Sequence, residues 1–278
     1  MDFLTEIISL KRARLEQSKK ECGFEAMRSQ ADNARRDARP HALRAALENG
    51  DRVNVIAEFK RASPSKGVIR EGVKAVEIAR RYEAGGAAAI SVLTEEDRFQ
   101  GSLDDLRDVR AAVRIPVLRK DFIFDEYQLY ESAAAGADAL LLIVAALDDE
   151  KLDRLRSITE DELGMDALVE VHTKDEMRRA REAGATLIGV NNRDLHSFNV
   201  SVEVSAQLAQ DATAETLLVA ESGLSSAGDL RRLRALGYRG FLIGETLMRS
   251  LQPEATLREL RDEGKAESRI QNPEFRRG

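Results

Sequence analysis

The chain has 278 residues, 43% apolar and 33% charged, with 43 Lys and Arg against 49 Asp and Glu and a formal net charge of -6. That length suits one barrel-sized domain of about 250 residues with a short extension, and the apolar share is ample for a core. The acidic balance repels phosphate backbones and anionic lipid, so neither nucleic acid nor membrane is an expected partner, while a local group of Lys and Arg can still hold a small anion.

Cys22 is the single cysteine. It excludes an intramolecular disulfide and a thiolate zinc site, and it fits a reducing compartment. The opening MDFLTEIISLKRARLEQSKK has no continuous apolar core of a signal peptide, and no apolar run is long enough to span a bilayer. A cytoplasmic location is the expectation.

In chain order, Phe3, Leu4, Ile7, Ile8 and Leu15 fall near one face of a first helix. Residues 28–40 are charged and poorly periodic and read as a connector. HALRAALENG reads as a short helix stopped at Gly50. Residues 1–50 therefore form a helical extension. From there the pattern changes to short apolar runs separated by amphipathic stretches: 53–59, 87–93, 115–120, 138–144, 166–171, 186–191, 216–221 and 240–245. Apolar runs without alternation suit parallel strands buried on both faces, and their alternation with helices gives an α/β class. A weak repeat recurs in EAGGAAAISV, AAGADALLLI, EAGATLIGV and ALGYRGFLIG. Near-equivalent units, with no Gly-rich dinucleotide fingerprint after the first run, favour a closed (β/α)8 TIM barrel over an open sheet. The barrel is expected over 51–262 and a polar, frayed tail over 263–278.

Barrel chemistry sits at the C-terminal strand ends. There the runs end in Glu58-Phe59-Lys60, Arg119-Lys120-Asp121, Glu170-Val171-His172, Asn191-Asn192-Arg193, Glu221-Ser222-Gly223 and Gly244-Glu245. Strand side chains alternate with period two. If Ile56, Leu118, Leu168 and Val219 point inward, so do Glu58, Lys60, Lys120, Glu170 and Glu221. Inward charges on apolar strands are costly unless paired, so a lysine–glutamate network is expected at the mouth. A purely structural plug of ion pairs is the bland alternative. Its weakness is that it must explain the same pattern on five or six strand ends. Ser222-Gly223 and Gly244 each precede a helical stretch, on the two strands where barrels often bind phosphate. Glu245 is expected to turn away from such a site. His172 reads as a structural histidine hydrogen-bonded at the rim, and Asp121 as a partner for a lysine or a cap for the next turn.

AEFKRASPSKG (57–67), RFQGS (98–102), VLRKDFI (117–123), VEVH (169–172), GVNNRDL (189–195), AESG (220–223) and LIGETLM (242–248) together resemble the indole-3-glycerol-phosphate synthase family, in order and spacing. The resemblance implies ring closure of 1-(2-carboxyphenylamino)-1-deoxyribulose 5-phosphate with loss of CO2 and water, by general acid–base catalysis, with no metal and no cofactor. It implies Lys120 as the acid at the ketone and Glu170 as the base in the dehydration. Lys60 would hold the carboxylate or act as a second acid. Glu58, Asn191, Arg193 and Glu221 would position these groups and the sugar hydroxyls. Ser63, Ser222, Gly223 and Gly244 would lie near the phosphate, and Phe99, Phe122, Leu141 and Leu195 would enclose the ring. Two alternatives remain: another phosphate-binding barrel enzyme, such as an isomerase of an aminated ribulose phosphate, and a non-catalytic metabolite-binding barrel. The first is not expected to carry KRASPSKG with RKDF, and the second predicts erosion of the lysines and Glu170. No exposed apolar stripe stands out, so a monomer is expected.

Overall fold

The structure, a computed structural model, describes residues 3–265. Eight parallel strands close into a barrel, each paired to the next and the eighth to the first: Asn54–Phe59, Ala89–Leu93, Val117–Lys120, Ala139–Ile143, Asp166–Val171, Leu187–Asn191, Leu217–Glu221 and Gly240–Ile243. Each lies within one of the eight apolar runs. A small hairpin pairing Ala62–Ser63 with Gly67–Val68 follows the first strand.

The strands are buried on both faces because each carries two apolar sets. Ile56, Leu118, Leu141, Leu168, Val219 and Leu242 fill the barrel interior. The alternate residues, among them Val55, Val117, Val169 and Phe241, pack outward against the helices. Full burial of such side chains contributes about 1.5–3 kcal/mol each. A register slip by one residue would exchange the two sets and turn the charged strand ends outward. Side-chain caps start the outer helices at Ser102, Asp125, Asp148, Thr173 and Ser226, where the side-chain oxygen accepts a first-turn N–H.

The extension wraps both ends of the barrel. Helix α1, Phe3–Glu21, sets Ile7 into the interior cluster that also holds Phe122. Helix α2, Phe24–Arg35, occupies most of the stretch expected to be a connector. Its sequence is mostly polar because only Met27 and Ala31, one turn apart, are buried. Tertiary contact supplies the rest: Arg35 donates to the carbonyls of Ala137, Leu163 and Gly164. Helix α3, Ala42–Leu47, closes the opposite end, with Leu43 and Leu47 in the interior cluster. Asn54 ties it down by donating to the Leu47 carbonyl at 2.9 Å. The last helix among the described residues is Pro253–Lys265. Residues 266–278 of the expected tail lie outside the described residues.

Candidate active site

At the C-terminal mouth the inward positions change from apolar to charged one step after the hydrophobic layer. Glu58 follows Ile56, Lys120 follows Leu118, Glu170 follows Leu168, and Glu221 follows Val219. Lys120 Nζ lies 3.0 Å from Glu170 Oε2 and 3.1 Å from Glu221 Oε2. Lys60 donates to Glu58 beside them. Two glycines make this ring possible. A Cβ on Gly189 would sit 2.1 Å from Glu221 Oε1, and one on Gly244 would sit 2.3 Å from Glu58 Oε1. Any larger residue at either inward position would displace a carboxylate.

The ring sets its own proton affinities. Burial alone would favour neutral Lys120, but Glu170, Glu221 and Glu58 reverse this and hold it above the ordinary lysine range. Burial likewise opposes charge on Glu170, yet Lys120 and then His172 bring it below the usual carboxylate range, with a smaller contribution from Asn191. Glu221 goes the other way. Burial raises it, Lys120 offsets only part, and Glu170 adds to the rise. Neither Glu221 oxygen has a hydrogen-bond partner of good geometry among the described residues. Two carboxylates thus share one ammonium, and they titrate as a pair.

The ring forms the floor of a cavity of about 700 Å³. One wall is aromatic. Phe122 stands edge-on to Phe3 at 6.2 Å and tilted to Phe99 at 6.3 Å, while Phe3 also meets Phe198 at 5.2 Å. Leu141 and Leu195 continue this wall. The opposite side is polar. Ser63, Ser65, Ser222, Gly223, Ser225 and Gly244 face it from three loops. Ser222 and Gly223 both adopt positive φ, 64° and 74°. Consecutive left-handed residues turn adjacent backbone N–H groups toward one side, a geometry that suits an anion. Ser222 holds it without being glycine, a strain that clusters at functional sites. Arg193 spans the mouth, donating to the Phe198 carbonyl at 3.1 Å and to Ser65 at 3.3 Å.

Every candidate named from the sequence lines this one cavity. Sequence reasoning missed Phe3 and Phe198, which come from an N-terminal helix and a loop more than 190 residues away. It also missed Lys66 and Arg249 at the rim. Glu245 lines the rim as well, bound to Arg249 at 3.1 Å with Lys66 at 3.9 Å. Among the described residues one acidic triplet, Glu95-Glu96-Asp97, is close enough to hold a cation. Its carboxylates are already engaged. Glu95 accepts the N–H groups of Asp97, Arg98 and Phe99, Glu96 takes Lys11, and Asp97 takes Arg14. The triplet shapes the Phe99 loop and anchors α1.

A family model described as indole-3-glycerol phosphate synthase matches residues 4–260. Among curated proteins, the indole-3-glycerol phosphate synthase of Carboxydothermus hydrogenoformans is 48% identical over 259 residues, covering 92% of this chain and 98% of that protein. That of Leifsonia xyli is 53% identical over 216 residues, covering 78% of this chain and 82% of that protein. Among solved structures, a 3-hexulose-6-phosphate synthase from Salmonella typhimurium superposes with a TM-score of 0.63 at 14% identity, covering 76% of this chain and 98% of that chain. A thiamine phosphate pyrophosphorylase from Pyrococcus furiosus gives a TM-score of 0.58 at 16% identity, covering 78% of this chain and 96% of that chain. These two likenesses concern the barrel fold alone. No helix among the described residues is long and apolar enough to cross a membrane.

Proposed function

This chain belongs to the indole-3-glycerol phosphate synthase family, and from that premise we propose how its cavity performs the reaction. The enzyme is a carboxy-lyase of tryptophan biosynthesis. It converts 1-(2-carboxyphenylamino)-1-deoxyribulose 5-phosphate to indole-3-glycerol phosphate, CO2 and water. The observation that carries the residue assignment is Lys120, fixed between two carboxylates at the polar floor of a cavity whose wall is aromatic.

The substrate has three chemically distinct parts, and the cavity has a region for each. The phosphate would sit against Ser63, Ser222, Gly223 and Gly244, with Arg193 above it. The aromatic ring would lie among Phe99, Phe122, Leu141 and Leu195, with Phe3 as a further cover. The ketone would then lie over Lys120. Held as a cation by its neighbours, Lys120 donates a hydrogen bond and then its proton to the ketone oxygen as the ring carbon bearing the carboxylate attacks the ketone carbon. Loss of CO2 restores the aromatic ring. Glu170 then accepts the proton released as the hydroxyl departs as water, assisted by Lys60 as acid. Glu58, Asn191 and Glu221 hold these groups in place. General acid–base transfer of this kind contributes about 10²–10⁴-fold.

The chain contains no tryptophan, so new indole emission is read against tyrosine alone. Mixing the protein with the substrate should produce growing indole fluorescence. Lys120→Ala should lower kcat by at least ~100-fold with the fold retained. A loss under ~5-fold would transfer the acid role to Lys60. Absence of emission from the folded wild type would remove the reaction itself.

A further inference from the structure

His172 lies outside the cavity wall, yet it touches the ring that forms the cavity floor. Its Nε2 is 3.4 Å from Glu170 Oε1, on the side of that carboxylate opposite Lys120. The imidazole is fixed from behind. Glu176 Oε2 accepts the backbone N–H of His172 at 2.7 Å and lies 3.2 Å from its Nδ1. An ionised carboxylate only accepts, so Nδ1 carries a hydrogen. Any second proton on the ring must then sit on Nε2, facing Glu170. One cation shares the same carboxylate, Lys120 on the other oxygen of Glu170. The following strand presents Asn191 and Asn192, and its Arg193 is engaged with Phe198 and Ser65. On the same helix as Glu176, Arg179 is bound to Asp149 and to the Val144 and Leu147 carbonyls. The carboxylates in contact with His172 are Glu170 and Glu176, and the charge of Glu221 also acts on it.

We propose that His172, clamped by Glu176, is a positioning residue that reinforces the bias of the Glu170–Glu221 pair, keeping Glu170 ionised and leaving the shared proton on Glu221. The inference rests on Glu170 being the base. Two carboxylates on one ammonium cannot both ionise freely, so one affinity for the proton is strongly raised. Lys120 lies at nearly equal distance from both, but it donates a well-formed hydrogen bond only to Glu170 and so already favours the ionised form there. His172 adds to this bias at the other Glu170 oxygen, and among the carboxylates of the pair it reaches only Glu170. The shifts agree: Glu176, Glu170 and Glu221 outweigh burial and raise His172, so the imidazolium persists above the ordinary histidine range. Burial carries Glu221 up to about 7. Without His172 the bias weakens, and Glu170 loses part of its basic form as pH falls below neutrality.

The test is the pH profile of kcat and KM between pH 6 and pH 8 for the wild type, His172→Gln and Glu176→Gln. The wild type should change little across this range. His172→Gln should lose about tenfold in kcat between pH 8 and pH 6, the effect of one pKa unit, with KM within about twofold. Glu176→Gln should shift the same way by less. A kcat reduced equally at both pH values, or a superimposable profile, overturns the inference. If His172→Gln does not fold, the wild-type protein still answers by NMR, because it has only three histidines. His172 should titrate above the ordinary histidine value, and Glu176→Gln should bring it down; a His172 midpoint below the ordinary value overturns the proposal. Glu170→Gln tests the underlying premise separately. It should cost at least ~100-fold in kcat, and retention of activity would remove the base assignment whatever His172 does.

Discussion

Arg119 and Lys120 are consecutive residues of one strand, but their side chains enter networks built on opposite terms. Arg119 points outward and is 2% exposed. Its guanidinium donates to Glu131 at 2.8 Å, Ser132 at 3.0 Å and Asp121 at 2.9 Å. Asp121 in turn accepts from Thr94 at 2.7 Å and from the Phe122 N–H at 2.9 Å, and it pairs with Lys11 of α1 at 2.8 Å. Donors and acceptors answer one another. Lys120 points inward, where two carboxylates compete for it and Glu221 has no hydrogen bond of good geometry. A fully satisfied polar network rigidifies, whereas an under-satisfied one retains proton affinity that a substrate can use. Period-two alternation of a single strand thus separates the scaffold from the chemistry.

The largest expected effect breaks the satisfied side. Arg119→Met leaves Asp121 and Glu131 buried with fewer partners, and loss of one member of such a pair costs about 3–5 kcal/mol. Urea unfolding should read that loss, while kcat of the folded fraction stays within about fivefold. Lys120→Ala should show the reverse weighting, a large loss of kcat with a smaller loss of stability, because a carboxylate of the Glu170–Glu221 pair can take up a proton once the ammonium is gone. If both variants lost activity and stability together, the two networks would be one.

Acid sharpens the contrast. Burial works against charge on Asp121, but Lys11 and Arg119 override it and hold the carboxyl at about 2, below the ordinary aspartate value. The unfolded chain binds this proton first, so the contribution to stability is full above pH ~4 and is lost as pH falls toward 2. The difference corresponds to roughly 2 kcal/mol. Asp121→Asn should flatten the fall of the urea midpoint between pH 4 and pH 2.5. An unchanged slope would assign acid sensitivity to other carboxylates.

Much of this was legible in the sequence. The inward set Glu58, Lys120, Glu170 and Glu221 followed from alternation alone, and the motif resemblance supplied the aromatic wall. What stayed hidden depends on distant approach. Lys11 reads as a solvated lysine on an amphipathic helix, yet its burial against Asp121 is what docks α1. Phe3 reads as a terminal apolar residue and becomes part of the aromatic wall because α1 crosses the mouth. Gly189 reads as a strand glycine, and only the position of the Glu221 carboxylate explains it. The α2 segment is polar by composition and helical through Arg35 and two buried residues.

Glu221 gives the smallest effect and the sharpest sign. Burial raises its carboxyl to about 7, so here the folded state binds the proton more tightly than the unfolded chain. Stability should therefore fall as pH rises from about 4.5 to 7 and stay level above, opposite to the contribution of Asp121. Glu221→Gln removes the charge that burial opposes and leaves a neutral amide of the same shape. Thermal unfolding should show the variant more stable than wild type at pH 8 by about 1 kcal/mol, with the difference narrowing by pH 5, while kcat falls by at least about tenfold. That combination is the signature of a strained group retained for activity. A variant destabilised at pH 8 would instead make Glu221 a structural partner of Lys120, and the inward ring would then be the plug of ion pairs that its alternation equally allows.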